Sequence, residues 1–155
     1  MAQILTRDYV ESFRSARLSR DPRRIAPYID DDVDWLLTGP IELLSFCGHR
    51  RGRAAVLDCI TKLQPAVLNV QKVELSALLI DGDRAATFSR LIGVQPGTGR
   101  TISYRQAQFL RFCDGKIVEY RGIIDSFDAA EQMIGHPLAL ANSAGVIDAG
   151  GRIAV

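Results

Sequence analysis

Residues 109–135 read FLRFCDGKIVEYRGIIDSFDAAEQMIG. Two runs of strand formers flank Asp114-Gly115, the dipeptide that closes a tight hairpin, so the segment predicts one long strand ending at Cys113 and a second over 116–124. Asp125 or Ser126 then opens a short helix, Phe127 to Ile134, which Gly135 and Pro137 stop. Upstream, Arg100 to Cys113 extends the first of these strands, PGTG at 96–99 turns the chain, and 84–95 supplies another strand. Before it, Val73, Leu75, Ala77 and Leu79 alternate with Lys72, Glu74, Ser76 and Leu78 up to the Asp81-Gly82-Asp83 turn. The second half of the chain is therefore a four-stranded antiparallel meander.

The first half has a different period. Thr6 caps a helix in which Tyr9, Val10, Phe13 and Ala16 recur at helical spacing, and Asp21-Pro22 starts a second helix ending near Tyr28 or Ile29. The basic residues Arg14, Arg17, Arg20, Arg23 and Arg24 read as a solvated helix face. An acidic turn, DDDVDW at 30–35, leads into a strand, Val33 to Thr38, closed by Gly39-Pro40. Residues 40–51 read as an ordered loop, and Val56, Ile60 and Leu63 mark a third helix that Pro65 terminates. Helices first and hairpin-linked strands afterwards indicate an α+β fold, with helices covering one face of a curved antiparallel sheet.

The chain has 155 residues, 47% of them hydrophobic and 24% charged, with 13 Gly and 6 Pro, the composition of one globular domain. A formal net charge of +1 gives no basic excess for nucleic acid, and no apolar run reaches the roughly 20 residues that span a bilayer. A cytoplasmic protein with no nucleic-acid or membrane partner is expected. Cys47, Cys59 and Cys113 form neither a disulfide framework nor a zinc motif, His49 and His136 are the only histidines, and GxGxxG, Walker and GxSxG motifs are absent. No metal and no cofactor are expected.

The element order, together with DDDVDW at 30–35, the loop from Gly39-Pro40 through FCGHRRGRAAV at 46–56, and the 109–135 segment, resembles the NTF2-like superfamily, in its SnoaL-like and ketosteroid-isomerase-like branch. The resemblance implies an NTF2-like cone over residues 1–136: a curved sheet wrapped around three helices, an internal apolar pocket, and homodimers formed through sheet faces. Residues 137–155, rich in Ala and Gly, are expected to form an extended or mobile arm. On the 100–113 strand, Tyr104, Gln106, Gln108, Leu110 and Phe112 share one face, and Ser103, Arg105, Ala107, Phe109 and Arg111 share the other. One face should line the pocket and the other should meet a partner subunit.

The known chemistries of this superfamily do not map onto the chain. Where the ketosteroid isomerase pattern carries its tyrosine, base and oxyanion aspartate, this sequence has Phe13, one of Leu37, Thr38 or Gly39, and Gln108. The strand at 84–95 has no Asp for an epoxide hydrolase triad of the limonene epoxide hydrolase kind, and the second Asp of that pattern falls on Gly122. Three titratable groups stand as catalytic candidates: Asp34, Asp125 and His49. A helix cap is the plainer role for Asp125, and an exposed loop position the plainer one for His49. The candidate ligand-binding set is Phe13, Trp35, Thr38, Arg90, Tyr104, Gln106, Gln108 and Tyr120. Gln106 and Gln108 lead it because buried amides need partners, Trp35 and Tyr104 read as pocket wall, and Arg90 is open to an acidic ligand, to Asp34 or Glu42, or to solvent. The expected function is binding of a small, mostly hydrophobic molecule, with a cofactor-independent isomerase, cyclase or hydratase as one use of the pocket. A non-catalytic carrier or sensor, or a protein-interaction module, is the alternative.

Overall fold

The computed structural model describes residues 3–139. Helix α1 (Arg7–Ser19) is capped by the Thr6 hydroxyl, which accepts from the Tyr9 amide, and buries Val10, Phe13 and Ala16. It ends at Arg20, whose left-handed backbone turns the chain into α2 (Pro22–Ile25), capped by Asp21. Strand β1 (Ile29–Thr38) follows a single turn of 3-10 helix over Ala26–Tyr28. The acidic stretch expected as a turn is thus part of β1. Its residues alternate, with Val33, Trp35 and Leu37 buried, and that period suits a strand better than a turn.

Two further expectations are corrected in the next segment. Gly48–Arg51, read as loop, forms strand β2. Helix α3 (Arg53–Asp58) does not stop at Pro65 but widens into a π turn (Cys59–Leu63) and continues as α4 (Gln64–Val67). Proline has no N–H for the carbonyl four residues back and its ring crowds that oxygen. The π turn shifts the Gln64 amide to the Cys59 carbonyl and carries the helix past the proline.

Strands β3 (Asn69–Asp81), β4 (Arg84–Val94), β5 (Thr101–Cys113) and β6 (Lys116–Ile124) form the expected meander, and helix α5 (Ser126–Ile134) ends at Gly135. At the β5–β6 turn Asp114 and Gly115 both have positive φ, 49° and 76°, the pair that the tightest hairpin turn demands. The six-stranded sheet has the order β2-β1-β6-β5-β4-β3, and β1 lies parallel to β6, so the sheet is mixed rather than wholly antiparallel. Two register shifts in β3, at Val70/Lys72 and Leu75/Ala77, break its simple alternation. Val73 and Leu75 point inward, but after the second shift Leu78 is buried and Leu79 is 70% exposed. The sheet's concave face and the helices enclose one core that runs from Val10 and Phe13 through Trp35, Tyr104 and Tyr120 to Met133.

Of the 137–155 arm, only 137–139 lie within the described residues.

Candidate functional site

A cavity of about 310 Å³ opens between α1, the π turn and the concave faces of β3, β4 and β5, at the small end of the range for ligand pockets. Its walls are mainly apolar: Phe13, Leu18, Ile60, Leu68, Val73 and Leu91 all contribute. Register explains the floor. Gln108 pairs with Thr87 and Gly122, and Gln106 pairs with Ser89 and Ile124, so both amides point to the concave side in adjacent rows. Gln106 donates to the Ser89 hydroxyl at 3.3 Å, and the Thr87 hydroxyl donates to Gln108 at 3.4 Å. Each amide uses one end on a β4 hydroxyl and has no protein partner for its other end among the described residues. Both residues are nearly buried and both line the cavity.

Arg14, Arg17 and Arg20 also line this cavity, which corrects their reading as a solvated helix face. Arg17 follows Phe13 by four residues and Val10 by seven, so it sits on the inward stripe of α1. That spacing was visible in the sequence. Its guanidinium donates to the Tyr120 hydroxyl at 3.1 Å and lies beside the Trp35 and Tyr120 rings, 5.3 and 5.5 Å from their centroids. Those two rings, cross-strand neighbours on β1 and β6, stack in parallel 3.6 Å apart. Burial works against the charge on Arg17, but the Tyr120 side chain more than restores it, and its pKa lies above the ordinary arginine value. Burial lowers that of Arg14. Arg20 donates to the Val70 carbonyl at 2.6 Å and so ties the end of α1 to β3.

The other residues of the candidate set divide by strand parity. Phe13, Gln106 and Gln108 line the cavity, and Trp35, Tyr104 and Tyr120 are buried in the core, Trp35 and Tyr120 against the lining residue Arg17. Burial raises the pKa of Tyr104, which keeps its hydroxyl neutral. Thr38 and Arg90 are exposed on the convex side, where Arg90 donates to Ser103 rather than reaching Asp34 or Glu42.

Asp34 and His49 meet on the convex side too. The Asp34 carboxylate is 2.5 Å from the His49 ring and 2.8 Å from the Arg121 guanidinium. Hydrogen bonds from Arg121 first and His49 second hold its pKa down at about 2. Asp125 sits at the N-cap of α5 but makes no side-chain cap. Its carboxylate pairs with Arg105 at 2.9 Å instead, so the capping role is replaced by an ion pair. None of the three lines the cavity. The one carboxylate that does is Glu11, half exposed and paired with Arg7 at 3.1 Å.

Gly122 lies on the concave side between Leu37 and Gln108. A Cβ built there would stand 2.6 Å from the Leu37 side chain and 3.0 Å from Tyr120, so Leu37 occupies the space a carboxylate at this position would need. Among the described residues no group of three or more Cys, His, Asp and Glu is placed to hold a metal, and no helix is long and apolar enough to cross a membrane. Chemically, the cavity offers hydrogen-bond donors and positive charge over an apolar bed. Such groups can hydrogen-bond an oxygen atom or stabilise negative charge, and Glu11 is the only carboxylate in the lining among the described residues.

Residues 7–120 match the model of the SnoaL-like domain. No curated protein matches the chain. Among solved structures, a protein described as a "Putative Isomerase" from Rhodopseudomonas palustris is 31% identical, with 85% of this chain and all of that one covered and a TM-score of 0.78. An NTF2-like protein from Burkholderia thailandensis is 21% identical over 81% of this chain and 95% of that one, with a TM-score of 0.70. A protein of ketosteroid isomerase-like fold from Catenulispora acidiphila, solved with trimethylamine, is 16% identical over 86% and 96%, with a TM-score of 0.69.

Proposed function

The chain belongs to the SnoaL-like domain family, within the NTF2-like cone folds, and on that premise we propose that it binds a small, mostly hydrophobic molecule in the cavity between α1 and the concave sheet. The observation that carries this reading is the pair Gln106 and Gln108, nearly buried amides with one end each unpartnered in an apolar-walled cavity. Neither free end is among the sealed, unpartnered side-chain atoms of the described residues; both residues line the cavity, where a ligand oxygen or N–H can take the place of water. In this reading residues 1–136 are the working domain and act in the cytoplasm.

The position of Asp34, His49 and Asp125 outside the cavity favours a carrier or sensor over an enzyme that uses those groups. A catalytic use, as a cofactor-independent isomerase, cyclase or hydratase, would rest on Glu11 as base and on Arg17 and the amides as stabilisers of an oxyanion.

We also infer a homodimer through the convex sheet face. Register places Leu79, Ala86 and Phe109 in one row across that face and Ala77, Phe88, Ala107 and Ile123 in the next. Phe88, Phe109 and Ile123 are 44%, 55% and 54% exposed, and charged rows with Arg84, Arg111 and Glu119 on one side and Glu74, Arg90 and Arg105 on the other flank them. An apolar centre with a charged rim is the anatomy of a subunit interface.

Native mass spectrometry of freshly purified protein tests both parts. A mass of two chains carrying a small organic adduct is expected. A monomer contradicts the dimer, and protein that neither retains an adduct nor takes up any member of a small-molecule fragment set contradicts the binding reading.

A further inference from the structure

We propose that the molecule held in this cavity is an organic acid, bound as its anion, with the carboxylate at Arg17 and the apolar body against Phe13, Leu68, Val73 and Leu91. The inference rests on the binding reading above and adds the charge of the ligand to it. Three arginines, Arg14, Arg17 and Arg20, line the cavity. None of them forms an ion pair with a carboxylate among the described residues, whereas Arg7, Arg23, Arg53, Arg84, Arg105 and Arg121 do. The one acid in the lining, Glu11, is engaged by Arg7 outside the cavity. The cavity lining therefore carries three arginines against a single carboxylate, Glu11, which Arg7 also engages, and so has a net positive charge.

Arg17 is the group that makes this a site rather than a surface charge. One of its nitrogens is fixed on Tyr120, and its guanidinium lies at the edge of the stacked Trp35 and Tyr120 pair, about equally far from both rings. Its remaining N–H groups have no protein partner among the described residues. A guanidinium presents donors in a rigid fork that matches a carboxylate, and the Tyr120 hydrogen bond with the rims of the two rings holds that fork in place before the ligand arrives. Desolvated positive charge is costly unless an anion meets it, so an acid is favoured over a neutral molecule of the same shape. Inorganic phosphate would satisfy the charge but would leave the apolar walls wet. An acid with a flat apolar body satisfies both.

Isothermal titration with matched pairs tests the proposal: benzoate and 2-naphthoate against benzamide and 2-naphthamide, on the full chain. A carboxylate in a charge-assisted pair is expected to bind about tenfold or more tighter than its amide. Raising sodium chloride should weaken the acid and leave the amide unchanged. In Arg17→Met the acid should lose its advantage while amide binding persists. Should that variant fail to fold, as its melting curve would report, Arg14→Gln and the salt dependence of the native protein carry the test, each predicting selective weakening of the acid. Equal affinities for acid and amide, or a tighter amide, would overturn the anion assignment and leave the binding reading standing. If neither member of either pair binds at millimolar concentration, both fall.

Discussion

Filling the cavity should stabilise the protein, the opposite of what enlarging a side chain does in a packed core. Val73 lies on the inward face of β3, half buried, opposite Leu91, and both line the cavity. Val73→Phe adds four carbons aimed into space that measures about 310 Å³. At about 0.8 kcal/mol per buried carbon the upper limit is about 3 kcal/mol. Restricting the ring's rotamers and burying only part of it reduce this to a gain of about 1 kcal/mol. In a domain of this size that corresponds to a rise in Tm of about 2–4 °C. Urea unfolding followed by fluorescence of Trp35, the chain's only tryptophan, reads the change directly. The same variant should abolish binding of the aryl carboxylates and their amides together. If the space were not there, the substitution would overpack the core and cost about 1–3 kcal/mol, and a loss of that size would refute the cavity argument.

Four further outcomes follow from particular contacts. Gly122→Ala should destabilise by about 1–3 kcal/mol, because its Cβ would stand 2.6 Å from Leu37, and the double variant with Leu37→Ala should lose less than the sum of the two, as a thermodynamic cycle would show. Gln108→Leu should destabilise by about 1–3 kcal/mol, because the buried Thr87 hydroxyl loses its acceptor, and should weaken ligand affinity in titration calorimetry. Hydrogen bonds from Arg121 and His49 hold the Asp34 carboxyl down at about 2, below the ordinary aspartate range. Its contribution is therefore full above about pH 4 and lost as the pH falls towards 2, so Asp34→Asn should flatten the acid limb of a stability–pH profile. Phe109→Glu should place a charge at the centre of the convex apolar rows and yield a monomer in sedimentation, with the melting curve of a folded domain.

Much of the fold follows from local signals that the structure retains. Thr6 caps α1, Asp21-Pro22 opens α2, and Asp114-Gly115 makes the last hairpin, because each depends on a few adjacent residues. The misread segments depend on partners far along the chain. DDDVDW becomes part of a strand because Ile29 just before it and Asp34 and Trp35 at its end pair with β6 across a register shift, GHRR becomes β2 because β1 lies alongside it, and Pro65 stays helical because a π turn absorbs it. The β3 alternation was read with the wrong face at Leu79, since a bulge leaves no mark of its own in an alternating sequence.

The candidate site was legible where β5 parity sufficed. Gln106 and Gln108 share the concave face because they lie two residues apart. Asp34 and Thr38 fall on the other face by that same rule, one position out of step with Trp35 and Leu37 on β1. Arg17 was concealed by its charge. Its helical spacing from Val10 and Phe13 marks it as inward, but a guanidinium on that stripe reads as solvated until the Tyr120 hydroxyl and the Trp35 and Tyr120 rings beside it are placed.

The most direct test of the central claim is a methyl-resolved NMR titration with 2-naphthoate. The account predicts shifts for the Leu68, Val70, Val73 and Leu91 methyls that line the cavity, with Leu79 and Ile123 on the convex face unmoved. Shifts confined to Leu79 and Ile123, or none at millimolar ligand, would contradict it.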